Sequence, residues 1–440
     1  MTRRSDEQGG RQRQHFIDAI CAAAETIEVP ISVDRCDFVR RYYAQVELEE
    51  LQYEPRDLAA AALVHLTFAS QRARRIAKVR AFNPTEERDG YTSVHTIVET
   101  VNDDMPFLVD SLSMALRSLG HSIHGVTHPV LPLRRSEDGS LVGLAAIDDR
   151  EAATESLIQF DIVRETDPET LRKIESTLQR TVHDVRVAVE DWAAMLERLG
   201  AATDELRATR GLPSELQAES GALLEWLAKS HFTLLGYREY ELVPGVTADE
   251  LRSRTGSGLG LLRDDPPDRA ATVRLTGRAH EEAHSSNPLV VTKSNERSTV
   301  HRPALLDHIG VKVFDSAGQP VLERRFVGLF TSAAYSGSPR MIPLVRLKIR
   351  QLMEDSGLEH QGHRSKLLLH ILDTLPRDDL FQASVDELKT IAYGILALQE
   401  RPRAKLSAAA RRSVGSTRAW CICRAISTPR AHDDRSRTSC

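Results

Sequence analysis

Residues 100–135 read TVNDDMPFLVDSLSMALRSLGHSIHGVTHPVLPLRR, and this stretch constrains the fold more than any other. An apolar run ends at Val101. A polar turn follows, carrying Asn102, the adjacent acids Asp103 and Asp104, and Pro106. Leu108, Leu112, Leu116 and Leu119 then recur at three- and four-residue spacing, which lines one face of a helix over Phe107–Leu119. Gly120 is placed to terminate it. Ile123, Val126, Val130, Leu131 and Leu133 predict one long strand over His121–Leu133. Strand, acidic turn, helix and strand follow one another without a spare residue.

The text on either side extends this pattern. Residues 14–85 predict a helical segment. Phe16, Ile17 and Ile20 mark one helix, Phe38, Val39 and Tyr42 a second, and Pro55 to Ala69 a third that ends in a basic run of Arg72, Arg74, Arg75, Lys78 and Arg80. That run reads as a solvated helix end complementing the helix dipole, with an anion site as the alternative. Beyond the turn at Ser136–Gly139, Leu141 to Ile147 and Leu157 to Val163 predict strands. Asp167 and Pro168 open a long helix whose stripe from Leu171 to Leu196 implies burial against another subunit or domain. Residues 220–340 predict a second mixed unit, with strands at His231–Leu242, Pro288–Thr292, His308–Phe314 and Val321–Leu329 and a hairpin turn at Asp315–Gly318. Residues 341–406 return to helices, one of them opened by a Ser384 and Glu387 capping box.

Composition excludes several functions. The chain of 440 residues has a net charge of −5 and only 5% aromatic residues, so neither a general polyanion affinity nor an aromatic nucleic-acid platform is expected. No apolar run approaches the roughly 20 residues of a membrane helix. The first sixteen residues are polar and carry no signal-peptide core, so a cytoplasmic location is expected. Cys21 and Cys36 read as buried thiols, and Cys421 and Cys423 lack zinc spacing. From Ser407 the text changes: residues 407–440 hold seven Arg, no Lys, no Glu and three of the five Cys. Their composition is that of a GC-rich gene read out of frame, so a frameshift near residue 406 and a disordered tail are expected. A selected basic tail that binds nucleic acid or membrane is the alternative.

Strand, acidic turn, helix and strand resemble the start of an ACT domain. Further segments, DDMPFLVDS (Asp103–Ser111), HPVL (His128–Leu131), HFTLLGYREY (His231–Tyr240), STVHRP (Ser298–Pro303), GLFTSAAY (Gly328–Tyr335) and the LQER ending at Arg401, together resemble the N-terminal region of the large NAD-specific glutamate dehydrogenase of bacteria. The resemblance spans roughly residues 15–406. It implies an α+β chain: N-terminal helices, an ACT-like βαββαβ domain at 91–200, a second ACT-like or PAS-like domain at 220–340, and a helical segment. It implies a regulatory and assembly role within an enzyme that oxidises L-glutamate with NAD. The dehydrogenase domain of the family lies downstream, so no cofactor and no catalytic turnover are expected of this chain alone. Self-association or contact with the catalytic domain, and a small amino-acid effector, are the partners implied; a stand-alone sensing or assembly module is the alternative.

Few residues carry chemistry. The only glycine-rich segment, Thr255 to Gly260, is G-x-G-x-G and precedes no helix, so a flexible loop is expected in place of a dinucleotide cradle. His360, His363 and His370 lack a supporting carboxylate motif, and no metal is expected. Lys293, Arg297, His301 and Arg302 form a polar cluster suited either to a ligand or interface site or to a solvated loop. The candidate effector or interface residues are Asp103, Asp104, Phe107, Asp110, Ser111 and His128. ACT turns typically read D-x-P-G-L-L and use exposed helix N–H groups to hold a carboxylate. Here Phe107 takes the glycine's position, which favours a packing contact.

Overall fold

The computed structural model describes residues 2–31, 33–46, 53–146, 149, 152–245, 248–263, 271–359, 362–400, 405–410 and 417–422. The chain forms two compact units, residues 1–192 with 297–304, and residues 193–296 with 305–440.

In the first unit, helices α1 (Thr2–Glu25), α2 (Arg35–Tyr42) and α3 (Pro55–Ala69) precede strand β1 (Lys78–Phe82), helix α4 (Glu86–Asp89) and strand β2 (Thr96–Asp103). Helix α5 (Leu108–Ser118), strands β3 (Ile123–Thr127), β4 (Val130–Arg135), β5 (Leu141–Leu144) and β6 (Ala153–Ile162), and helix α6 (Pro168–Glu190) complete it. The sheet is antiparallel, in the order β1-β2-β6-β4-β5, with β3 also on β6. The single strand expected over His121–Leu133 is two, both pairing with β6 and interrupted at His128 and Pro129. Proline has no N–H for the ladder, but the Pro129 carbonyl still accepts from Leu157 N–H at 3.0 Å.

The expected βαββαβ order is also corrected. After α6 the chain enters another helix, and the place beside β2 is held by β1, from upstream. The N-terminal segment is therefore not purely helical. Val101, Leu131, Leu133, Leu141 and Leu157 bury one sheet face against α1, α2 and α3. α6 packs on α5 and β1, with Ile174, Leu178, Val182 and Val185 buried. The stripe expected to need another subunit is thus satisfied by its own sheet as far as Val185. Helix α6 ends at Glu190, and Trp192 is 52% exposed. With helices on both faces, β2 is buried along almost its whole length, although Thr96, Glu99, Thr100 and Asn102 are among its buried residues.

In the second unit, α7 (Trp192–Ala208) and α8 (Ser214–Trp226) lead into β7 (Phe232–Val243), β8 (Glu250–Ser253), β9 (Leu259–Gly260), β10 (Thr272–Arg274), α9 (Arg278–His284), β11 (Leu289–Arg297), β12 (Leu305–Phe314) and β13 (Pro320–Phe330). The antiparallel sheet runs β10-β8-β7-β13-β12-β11, with β9 also on β7. Helices α10 (Ser332–Ser336), α11 (Val345–Asp355), α12 (His363–Thr374), α13 (Arg377–Gln382) and α14 (Val385–Glu400) follow. The capping box forms: Ser384 N–H donates to Glu387 Oε2 at 2.8 Å, and Glu387 N–H to Ser384 Oγ at 3.2 Å. Tyr237, Phe326, Ile309, Val311, Leu289 and Val291 join residues of these helices in one core on one sheet face.

The tail was expected to be disordered, but two of its segments are paired. Strands β14 (Lys405–Ala410) and β15 (Thr417–Ile422) form an antiparallel hairpin. Main-chain pairing needs no alternation of apolar residues, so the missing periodicity did not forbid it. Residues 411–416 and 423–440, Ile147, His360 and Arg401 lie outside the described residues. No described helix is long and apolar enough to cross a membrane.

Candidate functional site

The acidic turn sits where the sequence places it, between β2 and α5, but its residues separate into three groups. Asp103 is claimed by arginines. Arg72 and Arg186 approach its carboxylate at 2.7 Å each. Burial alone would raise its pKa, and the two guanidinium groups hold it below the usual carboxylate range. Arg72 is only 3% exposed and also meets the buried Glu155 at 2.9 Å, which Arg135 meets from the other side at 2.5 Å. The reading of Arg72 to Arg80 as a solvated helix end is therefore corrected for its key members: α3 stops at Ala69, Arg72 is buried in this network, and Arg80 on β1 pairs with the fully buried Glu99. Buried charges persist only when paired, and the partners come from β2 and β6.

Asp104 and His128 form the second group. Asp104 is exposed, and its N–H donates to Thr154 O at 2.9 Å. His128 is half-buried at the break between β3 and β4, with Nε2 on Ser156 Oγ. Burial pulls its pKa down, against the opposing charge of Asp104. Its position fixes the strand break to β6.

Phe107, Asp110 and Ser111 form the third group and meet a residue from far along the chain, His301. Phe107 has φ +73°, the left-handed conformation that glycine favours, at the position where the resemblance would place a glycine. Its ring lies 4.9 Å from the His301 ring. His301 also has φ +73°. Its N–H donates to the buried Ser111 Oγ at 3.0 Å, and its Nδ1 stands 3.9 Å from Asp110 Oδ2. Thr299 hydrogen-bonds Asp184 of α6, and Val300 is fully buried. The 297–304 loop thus covers the entrance of α5, where an ACT ligand would approach. The polar cluster of the sequence divides accordingly: His301 builds this contact, and Lys293 is buried in a pair with Asp307 at 2.7 Å.

A second candidate, not found from sequence, lies within the second unit. The sheet face opposite the helical core bounds a cavity of about 540 Å³. Arg238 and Tyr240 of β7, His308 of β12, and Glu323 and Arg325 of β13 line it, with α9 and β10 opposite. Arg238 is 8% exposed and Glu323 9%. Arg325 Nε–H donates to Glu323 Oε1 at 2.7 Å, and its guanidinium lies 4.5 Å from the Tyr240 ring centre. Burial, reinforced by Arg325, holds the His308 pKa down at about 4. Gly310 leaves room for Glu323: a Cβ there would stand 2.9 Å from its carboxyl carbon. The wall is thus both cationic and anionic, and the space lies in the range of small-molecule sites.

The glycine-rich segment does not fit a dinucleotide. A Cβ on Gly258 would meet Leu262 O at 2.1 Å, and one on Gly260 would meet Leu235 O at 2.2 Å. These glycines are used up in close backbone packing, and a turn follows where a pyrophosphate cradle needs a helix. The segment expected as a flexible loop is closely packed at Gly258 and Gly260, while Gly256 faces open space.

Residues 38–178 match the family described as glutamate dehydrogenase, ACT1 domain, and residues 342–401 the family described as glutamate dehydrogenase, helical motif 1. The chain is 34% identical over 408 residues to the NAD-specific glutamate dehydrogenase of Halomonas elongata, covering 90% of this chain and 25% of that protein. It is 33% identical over 383 residues to the NAD-specific glutamate dehydrogenase of Pseudomonas aeruginosa, covering 84% and 23%. With that of Mycobacterium tuberculosis the identity is 27% over 318 residues, covering 70% and 18%. The chain thus spans a quarter or less of the length of these curated relatives.

Proposed function

We infer a regulatory role for this chain from its place among the large NAD-specific glutamate dehydrogenases, whose N-terminal ACT1 and helical-motif regions it carries. In the reading proposed here, the whole protein oxidises L-glutamate with NAD to 2-oxoglutarate and ammonium. This chain supplies no group to that step; it senses a small amino acid and passes the signal on through self-association or contact with the dehydrogenase part.

The observation that carries this reading is the cavity in the second unit. Arg238 and Arg325 offer guanidinium groups to a carboxylate, and Glu323 offers a partner to an ammonium group. The strand order around it, second-first-fifth-fourth-third for β8, β7, β13, β12 and β11, supports a PAS-like reading of this unit over an ACT-like one. The acidic turn is a poorer effector site, because Phe107 and His301 occupy its mouth.

Calorimetric titration of the purified chain with small L-amino acids and 2-oxo acids tests the proposal. At least one compound is expected to bind, with affinity lost about tenfold or more in Arg238→Met. Circular dichroism checks that the variant is folded. Absence of binding by every compound, or equal binding by the variant, overturns it. The pure chain is expected to form no NADH from glutamate and NAD, and measurable turnover would refute the division of labour.

A further inference from the structure

Helix α9 carries His280-Glu281-Glu282-Ala283-His284, in which two histidines stand four residues apart on one face. Their rings are 4.6 Å apart. Both direct Nε2 at one oxygen, Oδ2 of Asp249, at 3.2 Å for His280 and 2.8 Å for His284. All three ligand-type atoms lie within 4.8 Å of one another.

The aspartate is oriented for this. Its Oδ1 accepts the Gly245 N–H at 3.3 Å, and its own carbonyl accepts Leu275 N–H at 2.8 Å. These bonds leave Oδ2 facing the imidazoles, as an outer-shell hydrogen bond orients a metal ligand. Helix α9 is held in place where Ala283, beside the histidine face, packs on Tyr240, Leu251 and Leu275. A tetrahedral zinc ion with bonds of about 2.05 Å needs ligand atoms about 3.3 Å apart. Both His–Asp separations, 3.2 and 2.8 Å, are somewhat shorter than that edge, so small outward rotations of the side chains would admit the ion.

We propose that Asp249, His280 and His284 bind a divalent transition metal of the zinc type, with water completing the coordination. The bound ion ties α9 to the start of β8. Two imidazoles and a carboxylate suit zinc, whereas calcium and magnesium prefer oxygen alone. The H-E-x-x-H spacing matches that of zinc hydrolases. Nothing here assigns hydrolysis, since Glu281 is exposed. The metal ligands themselves do not line the cavity, although α9 also forms part of its wall.

Zinc alone is titrated by calorimetry into the full chain after removal of metal with a chelator, and cobalt binding is followed by visible absorption. One zinc per chain is expected, with affinity reduced about tenfold or more in His280→Ala, His284→Ala and Asp249→Asn, and unchanged in His363→Ala. Cobalt is expected to show tetrahedral d–d bands without a thiolate charge-transfer band. Both imidazoles are substantially exposed, so the variants should fold, and circular dichroism verifies it. No stoichiometric zinc at tens of micromolar, binding that survives the double histidine variant, or a thiolate band would each overturn the assignment.

Discussion

Phe107 offers a test in which backbone strain and side-chain packing have opposite signs. Replacing it by alanine removes the half-buried ring and its contact with His301. The aromatic pair contributes about 0.5–1.5 kcal/mol, and roughly half of a full side-chain burial adds about 1 kcal/mol. Alanine keeps the strained φ of +73°, so Phe107→Ala should destabilise the first unit by about 2 kcal/mol. Glycine loses the same packing but relieves about 1–2 kcal/mol of left-handed strain. Its greater freedom in the unfolded chain returns roughly 0.7 kcal/mol of that. Phe107→Gly should therefore be more stable than Phe107→Ala by about 0.5–1 kcal/mol, the reverse of the order inside a helix. For a unit of this size the difference is on the order of 2 °C in melting temperature. Urea unfolding gives the energies, and amide exchange across residues 108–118 shows that the effect is local to α5. An alanine variant as stable as the glycine variant would refute the strain argument.

Two further outcomes follow from groups buried in each unit. Burial, against the pull of Arg80, raises the Glu99 pKa to about 7, so the folded state holds its proton more tightly than the unfolded chain. The stability Glu99 contributes is full below pH 4.5 and is lost as the pH rises through 7, and Glu99→Gln should flatten that fall in melting temperature; parallel curves for both proteins would contradict the assignment. Gly260→Ala places a Cβ against Leu235 O at a φ of +59°, so urea unfolding should register a loss on the order of 3 kcal/mol. Unchanged stability would mean that the glycine is not there for packing.

Local signals were legible and nonlocal ones were not. The run from Val101 to Gly120 could be read because helix periodicity and a terminator are properties of neighbours: Gly120 does turn left-handed, at φ +91°. Asp167 likewise caps α6, accepting from Thr170 N–H at 3.0 Å. The place of β1 depends on which strand it pairs with, and no spacing within Lys78–Phe82 encodes that. Arg72 looked solvated because its partners, Asp103 and Glu155, are 31 and 83 residues away. The stripe through Val185 and Trp192 hid the break at Asp191, because apolar spacing continues across it. Asp249 and His284 lie 35 residues apart, and only the fold makes them a cluster, although the histidine spacing on α9 was visible.

The two sheets differ in what a small ligand could do to them. In the first unit both sheet faces are buried under helices, and the ion pairs Arg72–Glu155 and Arg80–Glu99 are already closed within the protein. A ligand entering there would have to displace packed side chains and strand a buried charge, which costs about 3–5 kcal/mol before any contact is gained. In the second unit one face is apolar core and the other lines the cavity, with Arg238, Arg325 and Glu323 already desolvated on its wall. That part of the cost was met when the chain folded; Arg325 and Glu323 are paired with each other there, so a ligand carrying both charges would extend that pair rather than strand it. The polar alternation of YREY and LERRF in β7 and β13 resembles a solvated face, yet α9 stands opposite it across the cavity. The proposed regulation by a small molecule therefore falls on the second unit, and the packing contact expected at the ACT-type turn of the first is the contact of Phe107 with His301.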